Sequence, residues 1–574
     1  MRVITFQLRE HESTVIESLT RLGFVFDPSQ VVRTTLIDTF DGRLHRAGLQ
    51  LQLNESEGRV LELTGGDGAP AHLGVDAVPR VPAELPPGPF RFRIAALTDV
   101  RALMPQLEVG MTRTSGAWRN GSEKVVAIAE LHQGVQVVGR PDTDCPEATI
   151  EIHAVPGYSK RTRRTLRTLR EIGLAECETD TLTQCAAVAG IDLAGFAASA
   201  TVPLDPEMAA IEGFRVVLAN LAATISANWN GTIDQIDPEF LHDLRIAVRR
   251  TRTVLSESKA VLPAAVLETS RDGFKWLAGL TGTPRDLDVY PLEWSRYTDP
   301  LGAEIATSLE PVRELLERRR ADGHIELERA LRSERAAELM DMWRTWLTEP
   351  FTSDGVPSRA GRPLGRLVAK RIARAHGVLI ERGRLIGPDT PAEHLHDLRK
   401  DAKKLRYLLE CFGSLLPDRP RKRYVKRLKA LQDNLGEHQD AEVHVNMLRA
   451  IGRELHDAGS SPDTMVAIGQ LTERLDHQRL AARTEFNEFL ADCPSPPIVL
   501  PFASMVDRRK RLQRHLVAHL MTDIPGFLPT TIPNASVIEQ MGVKRAPVAD
   551  FARTSAATAA FRQLWADITA RIWT

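Results

Sequence analysis

Aromatic residues and cysteines are both scarce in this sequence of 574 residues. Aromatic side chains make up 5% of it, and its five cysteines are scattered without a CxxC pair. An odd number of widely spaced cysteines predicts neither a disulfide framework nor a zinc site, and it favours a reducing compartment. Long apolar runs are scarce as well, so we expect no membrane-spanning helix and a cytoplasmic protein.

An excess of either charge is also lacking. The chain has 74 Lys and Arg residues against 75 Asp and Glu residues, which gives a formal net charge of −1 at pH 7. A general nucleic-acid coat would be strongly basic overall, and this composition excludes that class. Any cationic binding surface must therefore be concentrated in one part of the chain. The length of the chain predicts several domains.

One helical phrase occurs twice in the sequence, 154 residues apart. Leu241-His-Asp-Leu-Arg in the first copy returns as Leu395-His-Asp-Leu-Arg in the second. The same register continues without a gap and gives fourteen identical positions between residues 241 and 289. Beyond the helix these include Lys275 with Lys429, Gly282 with Gly436, and Asp286 with Asp440. An ungapped match of this length indicates an internal duplication.

Basic residues at helical spacing follow the histidine in both copies. Steps of three and four place them on one helix face, while apolar residues occupy the face that can pack. The two faces comprise His242, Arg245, Arg249 and Arg252, and His396, Arg399, Lys403 and Arg406. Like charges at this spacing repel each other, so an anionic partner is expected opposite them. Two copies of one cationic surface therefore predict a polyanion ligand.

Further basic residues extend the predicted binding surface. They are Lys275, Lys400 and Lys429, the set Arg366, Lys370 and Arg374, and the pair Lys422 and Lys426. We assign bidentate contacts to the arginines that occupy equivalent positions, namely Arg245, Arg252, Arg399 and Arg406, and added charge to the other basic residues. The two histidines either donate to the anion or hydrogen-bond a neighbouring loop. Ordinary solvated helix faces are the alternative for all these residues, but the repetition favours binding.

These motifs resemble those of the CHAD domains, whose name abbreviates conserved histidine α-helical domain. The resemblance lies in the doubled His-Asp-Leu-Arg phrase and in a later Leu-x-x-x-x-Gly-x-x-x-Asp pattern, seen at 277–286 and 431–440. It covers roughly residues 205–490. It implies two four-helix bundles, at about 205–348 and 360–490, that are related by a pseudo-twofold axis. It also implies a basic central channel that binds inorganic polyphosphate.

Residues 1–195 carry short runs of alternating apolar and polar residues, which predict an antiparallel sheet. The run Thr35-Leu-Ile-Asp-Thr-Phe-Asp is similar to a motif of the CYTH triphosphatases, which implies a tunnel for triphosphate and a divalent metal. That family opens with Glu-x-Glu-x-Lys, whereas this chain has Thr5-Phe-Gln-Leu-Arg9. Without the two carboxylates of that motif the simplest metal-binding site is lost. We therefore expect a degenerate domain without catalysis, metal or cofactor. The acidic residues Asp38, Asp41, Glu62, Glu130 and Glu151 could still form a metal site, but we favour the interpretation that they are strand acids that face solvent.

The predicted fold class is therefore multidomain α+β. A tunnel-like CYTH-type domain at 1–195 precedes an all-α CHAD domain at 205–490 and an extension of unassigned role at 495–574. The predicted function is non-catalytic binding of inorganic polyphosphate, with association to polyphosphate granules. The basic stripes contain few aromatic rings, which argues against a nucleic-acid ligand, and the sequence identifies no protein partner.

Two enzymatic alternatives stay open. In the first, the CYTH-like domain is a metal-dependent hydrolase of tripolyphosphate or polyphosphate. In the second, the chain is an HD-like metal-dependent phosphohydrolase. Its metal ligands would be His394, His396 and Asp397 with Asp286, Asp288 or Asp440.

Overall fold

The computed structural model describes residues 3–8, 12–56, 58–65, 70–146, 148–155, 157–196, 201–349, 357–387, 390–491, 500–507, 509–524 and 526–572. The chain forms two compact units, residues 1–483 and 484–574. The first unit contains an antiparallel sheet followed by a helical region, which confirms the predicted fold class. The predicted domain boundaries stay predictions, and Arg9 and residue 495 lie outside the described residues.

The sheet has ten strands and five accompanying helices. The strands are β1 (Val3–Gln7), β2 (Phe24–Phe26), β3 (Gln30–Asp38), β4 (Leu49–Glu55), β5 (Arg59–Gly65), β6 (Ala71–Gly74), β7 (Met104–Arg119), β8 (Val125–Val137), β9 (Ala148–His153) and β10 (Ala175–Cys177). The helices are α1 (Glu12–Leu22), α2 (Arg43–Arg46), α3 (Pro89–Thr98), α4 (Ser159–Glu171) and α5 (Thr181–Val188). The hydrogen-bonded order is β10-β1-β9-β8-β7-β3-β4-β5-β6, and β2 pairs with β7.

Alternation along β8 and β9 gives the sheet an apolar face and a polar face. Leu131 and Ile150 pair in register and lie in a core with side chains of α1 and α4. Glu130 and Glu151, which also pair, line a polar cavity of about 60 Å³ instead. Residues of β1 and of β5 line the same cavity, although five strands separate these two in the sheet order. The sheet therefore curls around a polar interior.

Eleven helices make up the described part of the helical region, and four more lie in the second unit. The region comprises α6 (Ala210–Ile233), α7 (Pro238–Glu257), α8 (Ala264–Leu280), α9 (Gly282–Thr298), α10 (Ala303–Ser308), α11 (Glu310–Leu331), α12 (Glu334–Thr348), α13 (Leu364–Arg384), α14 (Ala392–Cys411), α15 (Asp418–Asp457) and α16 (Pro462–Ala491). The second unit has α17 (Arg511–Asp523), α18 (Ser536–Lys544), α19 (Val548–Phe551) and α20 (Ala556–Ile572).

The duplication seen in the sequence reappears in the helices. A shift of 154 residues maps α7 onto α14, and it maps α8 with α9 onto α15. The same shift maps α6 onto α13 and α11 onto α16, so each repeat supplies four equivalent helical segments, while α10 and α12 have no helical counterpart. Helix α7 packs on α14, and α6 packs on α13. Each of these helices thus meets its own counterpart, as helices beside a twofold axis do.

Helix α6 contradicts the expectation that no segment could span a membrane. It has 24 residues and is long and apolar enough by length and composition alone. Half of its apolar window is buried inside the protein. The ring of Phe214 lies 5.1 Å from that of Phe412, and a Cβ added to Gly213 would meet the side chain of Leu364. The apolar side chains of α6 therefore form part of the helical core.

A buried arginine joins the sheet domain to the helical domain. Arg101, just before β7, is 1% exposed. It donates hydrogen bonds to Asp237 Oδ1 at 3.2 Å and to Asp243 Oδ2 at 2.5 Å. The backbone N–H of Ala102 donates to the other oxygen of Asp237 at 3.0 Å, and the arginine lies over the ring of Phe240 at 5.0 Å. Asp237 also caps α7, so one carboxylate both starts that helix and anchors the sheet domain.

We expect the substitution Arg101→Met to destabilise the protein strongly. It would leave Asp237 and Asp243 as charges without their partner at the domain junction, which typically costs about 3–5 kcal/mol. Urea unfolding followed by circular dichroism measures the loss. The control is Arg21→Met, which removes an exposed ion pair with Glu17 and should cost at most about 1 kcal/mol. Equal losses in the two variants would contradict the anchoring role.

Candidate functional site

The predicted cationic residues of the two repeats meet where α7 packs on α14. Arg245 and Arg249 come from the first repeat, and Arg399, Lys403 and Arg406 come from the second. All five side chains are partly buried. Lys403 interacts electrostatically with Arg249 across the boundary between the repeats, and with its own neighbours Arg399 and Arg406. The structure therefore brings five of the predicted cations into one cluster, which we call the central cluster.

Two arginines of the central cluster make equivalent contacts in the two repeats. Arg245 Nη1 donates to the carbonyl oxygen of Thr281 at 2.9 Å, and its Nη2 lies 3.4 Å from Asp286 Oδ1. Arg399 Nη1 donates to Gln439 Oε1 at 2.9 Å and to Asp440 Oδ1 at 3.2 Å. The aspartates occupy equivalent positions of the duplication, so each repeat carries its own arginine–aspartate pair.

A glycine makes room for each of these arginines. A Cβ added to Gly282 would lie 3.2 Å from Arg245 Nη1, and one added to Gly436 would lie 2.9 Å from Arg399 Nη2. Each guanidinium therefore crosses a helix at its glycine and reaches the aspartate one turn later. The repeated Arg, Gly and Asp identities form one packing unit, which the spacing in the sequence did not reveal.

The bidentate role predicted for Arg245 and Arg399 stays a prediction, on which these pairs place a condition. Both guanidinium groups already contact a carboxylate of their own chain, so neither is an open fork. Burial raises the pKa of Asp286, the positive charge of Arg245 opposes this, and Asp440 raises it further. The two aspartates therefore act on each other near the boundary between the repeats. An anion at Arg245 or Arg399 must compete with them or use the remaining N–H groups.

Two other cations in the central cluster have no such partner. Among the described residues, the side chains of Arg249 and Lys403 make no hydrogen bond or ion pair. Burial and then the cations Arg399, Arg249 and Arg406 lower the pKa of Lys403 to about 7, while Asp440 opposes them. A lowered lysine pKa indicates a site where positive charge is crowded and an anion would be favourable.

Arg406 lies beside an ion pair that joins the repeats. Arg250 of α7 donates to Glu410 Oε2 of α14 at 2.6 Å, and Arg406 Nε lies 3.5 Å from Glu410 Oε1. The guanidinium of Arg406 also lies 5.4 Å from the ring centre of Tyr407. Arg406 therefore has a carboxylate neighbour, and its predicted bidentate role stays a prediction.

The remaining predicted cations lie on exposed helix surfaces outside the central cluster. Lys400 pairs with Asp397 at 3.3 Å, and Lys422 pairs with Asp418 at 2.8 Å. The others are exposed and make no ion pair among the described residues: Arg252, Lys275, Arg366, Lys370, Arg374, Lys426 and Lys429. The unpaired side chains of this set are free to bind an anion, and within the described part of the chain they form no hydrogen bond or ion pair with the central cluster.

The two motif histidines have different surroundings. Burial and then Arg285 lower the pKa of His242 to about 4, so its ring is neutral near pH 7. Nδ1 of His396 is buried and has no hydrogen-bond partner among the described residues. Neither histidine is shown to bond a neighbouring loop, and a role in holding the anion stays a prediction.

A second basic feature lies on α15 and is absent from the predicted surface. A cavity of about 480 Å³ is lined by Arg419, Pro420, Arg423, Tyr424 and Arg427. The three arginines are exposed, and within the described part of the chain none of them makes an ion pair. Their steps of four were visible in the sequence, next to the stripe of Lys422 and Lys426.

The acidic residues of the sheet domain do not face solvent as predicted. Asp38 accepts the backbone N–H groups of Leu44 and His45, and Asp41 pairs with Arg43 at 3.0 Å. The other three, Glu62, Glu130 and Glu151, line the polar cavity. Their strands alternate as predicted, but the polar face is the inner one because the sheet curls.

Two of these glutamates lie beside histidines. Burial would raise the pKa of Glu130, but His153 and His132 outweigh it and lower the pKa to about 2. Burial would lower the pKa of His153, but Glu130 and Glu151 outweigh it and raise the pKa. Of the fifteen described residues that line the cavity, Arg113 is the one Lys or Arg residue. The cavity therefore lacks the rows of cations that a triphosphate needs.

Comparisons with known proteins find a family match within the helical region. The CHAD domain model matches residues 216–449. Two uncharacterised proteins of Mycobacterium tuberculosis, from strains CDC 1551 and H37Rv, are each 26% identical over 219 residues. That match covers 38% of this chain and 41% of each relative, so the chain spans about two fifths of the curated relatives that it matches.

Several solved structures have partial similarity to this chain. A CHAD domain from the plant Ricinus communis is 27% identical with a TM-score of 0.42, and covers 52% of this chain and 98% of its own. PptA from Streptomyces chartreusis is 20% identical with a TM-score of 0.38, and covers 49% and 98%. A putative adenylyl cyclase from Hippeastrum, described as having a dominant triphosphatase activity, is 12% identical with a TM-score of 0.25, and covers 33% and 97%.

We expect Lys403 to titrate near pH 7, well below the value of roughly 10.4 for an ordinary lysine. NMR of the protein carrying ¹³C-methylated lysines measures this, with Lys403→Arg identifying the resonance. Because the carboxylate of Asp440 favours the charged lysine, Asp440→Asn should lower the pKa further. A resonance that titrates only above about pH 9 would show that the cations around Lys403 are not crowded.

Proposed function

Residues 216–449 form a CHAD domain, and from this premise we propose that the protein binds inorganic polyphosphate without hydrolysing it. The observation that carries the proposal is the central cluster, where Arg249 and Lys403 of different repeats lie close together without a carboxylate partner. In the absence of a ligand, the repulsion between these two cations destabilises the domain. A bound polyanion would remove that repulsion and would favour the charged form of Lys403.

The chemistry of polyphosphate suits such a surface. It is a linear chain of closely spaced negative charges, so its recognition needs rows of guanidinium and ammonium groups. It offers no base to stack on an aromatic ring, and the ring of Tyr407, which lies 5.4 Å from the guanidinium of Arg406, is buried. A single-stranded nucleic acid normally uses exposed rings. These features favour polyphosphate over a nucleic acid.

The exposed stripes supply further cations for a long ligand. Arg366, Lys370 and Arg374 lie on α13, and Arg419, Arg423 and Arg427 line the cavity on α15. The ring of His376 on α13 lies 5.8 Å from that of Tyr424 on α15, so these two helices are neighbours. We propose that a long polyphosphate chain contacts these stripes in addition to the central cluster.

The sheet domain supports a non-catalytic function. Its cavity of about 60 Å³ contains Arg113 as its one Lys or Arg among the described lining residues, and the lining residues Gln50 and Gln52 carry no charge. A hydrolase of triphosphate needs cations that stabilise the charge on the transferred group. We therefore propose that the CYTH-like domain does not hydrolyse triphosphate. We also propose that the protein associates with polyphosphate granules in the cytoplasm.

The HD-like alternative has less support. Asp288 accepts hydrogen bonds from Arg320 at 2.7 Å and His324 at 2.8 Å, and Asp286 and Asp440 pair with Arg245 and Arg399. The carboxylates that this site would need are thus already held by cations. Arginines beside a dication would also repel it.

Reversing the charge of the unpaired cations should abolish binding. We expect Arg249→Glu with Lys403→Glu to weaken polyphosphate binding by at least about 100-fold, because each hydrogen bond to a charged group is worth roughly 1.5–3 kcal/mol. Fluorescence polarisation with labelled long-chain polyphosphate measures the affinity. In the wild type, affinity should fall steeply as salt rises, as counterion release requires.

The matched control is Arg318→Glu with Arg344→Glu, which makes the same change in net charge on α11 and α12. Both residues are exposed and lie outside the predicted surface, so this variant should retain most of the affinity. Equal affinity of the two double variants would refute the central cluster as the binding site. Release of phosphate from tripolyphosphate with magnesium would favour the hydrolase instead.

A further inference from the structure

The cavity on α15 combines cationic side chains with an aromatic ring. Its volume is about 480 Å³, and its described lining residues are Arg419, Pro420, Arg423, Tyr424 and Arg427. We propose that this cavity binds one nucleoside polyphosphate, with the base against Tyr424 and the phosphates on the three arginines. None of these residues belongs to the central cluster, so the cavity is a second binding site on the helical domain.

The side chains of the cavity have no counterpart in the first repeat. Helices α8 and α15 begin at equivalent positions, Ala264 and Asp418, each directly after a proline. The shift of 154 residues maps the cavity residues onto Ala265, Val266, Thr269, Ser270 and Gly273. The helix can therefore form and pack without three arginines and a tyrosine at these positions. The cations of the central cluster occupy duplicated positions, so a set that the second repeat alone carries indicates a different ligand.

Positive charge is crowded at the start of α15. Residues 418–429 contain seven Lys and Arg residues and one acidic residue, Asp418. Its carboxylate pairs with Arg421 at 2.7 Å and with Lys422 at 2.8 Å. The three arginines of the cavity make no ion pair among the described residues. Because like charges at steps of four repel each other along a helix face, an anion in the cavity would stabilise this part of α15.

The three arginines form a row that matches a short phosphate chain. Steps of four residues along an α-helix place Arg419, Arg423 and Arg427 about 6 Å apart in sequence along the axis. Each planar guanidinium can donate two parallel N–H bonds to the oxygens of one phosphate. The row is therefore long enough for each phosphate of a triphosphate to meet a guanidinium.

The ring of Tyr424 supplies a feature that the central cluster lacks. Tyr424 is partly buried and lines the cavity, and its ring lies 5.8 Å from that of the exposed His376 on α13. In the central cluster, the ring of Tyr407 is buried instead. Every nucleobase has a flat face that can stack on an aromatic ring, whereas inorganic polyphosphate has none. The α15 cavity therefore suits a ligand that carries a base and phosphates together.

The size and the walls of the cavity also fit a single nucleotide. Sites for small molecules typically have volumes of roughly 300–1,000 Å³, and this cavity of about 480 Å³ falls in that range. The ring of Pro420 and the hydrocarbon stems of the arginines supply apolar wall beside the guanidinium groups. A single-stranded nucleic acid has the same chemistry, but its strand would have to continue beyond the cavity. One free nucleotide is therefore the favoured ligand.

Nucleotide binding in this cavity does not depend on polyphosphate binding at the central cluster. The same three arginines belong to the exposed stripes that a long polyphosphate chain would contact. On that proposed function, a nucleotide and a long chain compete for the row. A nucleotide would then release the outer part of the chain and leave its contacts with the central cluster in place.

Isothermal titration calorimetry of the full-length protein with ATP, in the absence of magnesium, tests the proposal. Tripolyphosphate is the matched probe without a base, and it should bind more weakly than ATP. Tyr424→Leu should weaken ATP binding by about 5- to 150-fold, which is what one stacked base contributes, and should leave tripolyphosphate binding unchanged. Tyr424→Phe keeps the ring and should retain the affinity for ATP. Arg423→Gln should weaken the binding of both probes by at least about 10-fold, because it removes a charged hydrogen-bond donor.

Two control variants locate the binding. Arg453→Gln makes the same change in charge at an exposed residue of α15 that lies outside the cavity and makes no ion pair among the described residues, so ATP binding should not change. Arg249→Glu with Lys403→Glu should lose polyphosphate binding and retain ATP binding, which separates the nucleotide site from the proposed function. Loss of ATP binding in that double variant would place the nucleotide at the central cluster and overturn the proposal.

Three other results would overturn the nucleotide site. They are the absence of saturable ATP binding by the wild type, equal affinities for ATP and tripolyphosphate, and unaltered ATP affinity in a Tyr424→Leu variant whose circular dichroism shows that it is folded. Tighter binding of a thymidine oligonucleotide than of ATP, with the same loss in Tyr424→Leu, would assign the cavity to single-stranded nucleic acid instead.

Discussion

Repulsion between cations at the boundary of the two repeats is the constraint on which the helical domain depends. The duplication places the same basic helix face, on α7 and on α14, at a shared packing surface. Two arginines there are neutralised by the chain itself, through Asp286 and Asp440. Arg249 and Lys403 are not, and the pKa of Lys403 falls to about 7 in response, through burial and then these cations. The domain is thus built with an unbalanced positive charge at its centre.

The aspartates explain why such a domain can fold before it binds an anion. Each one holds the arginine of its own repeat across a glycine, which limits the repulsion without removing it. The sheet domain is attached at the N-terminal end of α7, where Arg101 bridges Asp237 and Asp243. Asp243 directly follows the motif histidine His242, so the first copy of the motif anchors a domain. In the second copy, Asp397 pairs with Lys400 and Arg382 near the surface. The duplication has therefore diverged at this position.

The helices and the internal repeat could be predicted from the sequence because each depends on residues that are close together or regularly spaced in the chain. Helical spacing identified α7 and α14, and a constant shift of 154 residues identified the repeat. The pairing of Arg245 with Asp286 was out of reach, because it depends on how α7 packs against α9. The alternation of apolar and polar residues in β8 and β9 predicted two faces of the sheet, but it did not predict which face the curled sheet encloses. Glu130 and Glu151 were therefore expected to face solvent. Thr181, whose hydroxyl donates to Glu151 Oε1 at 2.7 Å, lies on α5 and belongs to no recognisable sequence pattern.

The most direct test is retention of the full-length protein on immobilised long-chain polyphosphate at physiological salt, with duplex DNA as competitor. If the central cluster recognises a bare phosphate chain, the protein stays bound in excess DNA and is released by free polyphosphate. Release by DNA at the same phosphate concentration, or no retention at all, would contradict the account.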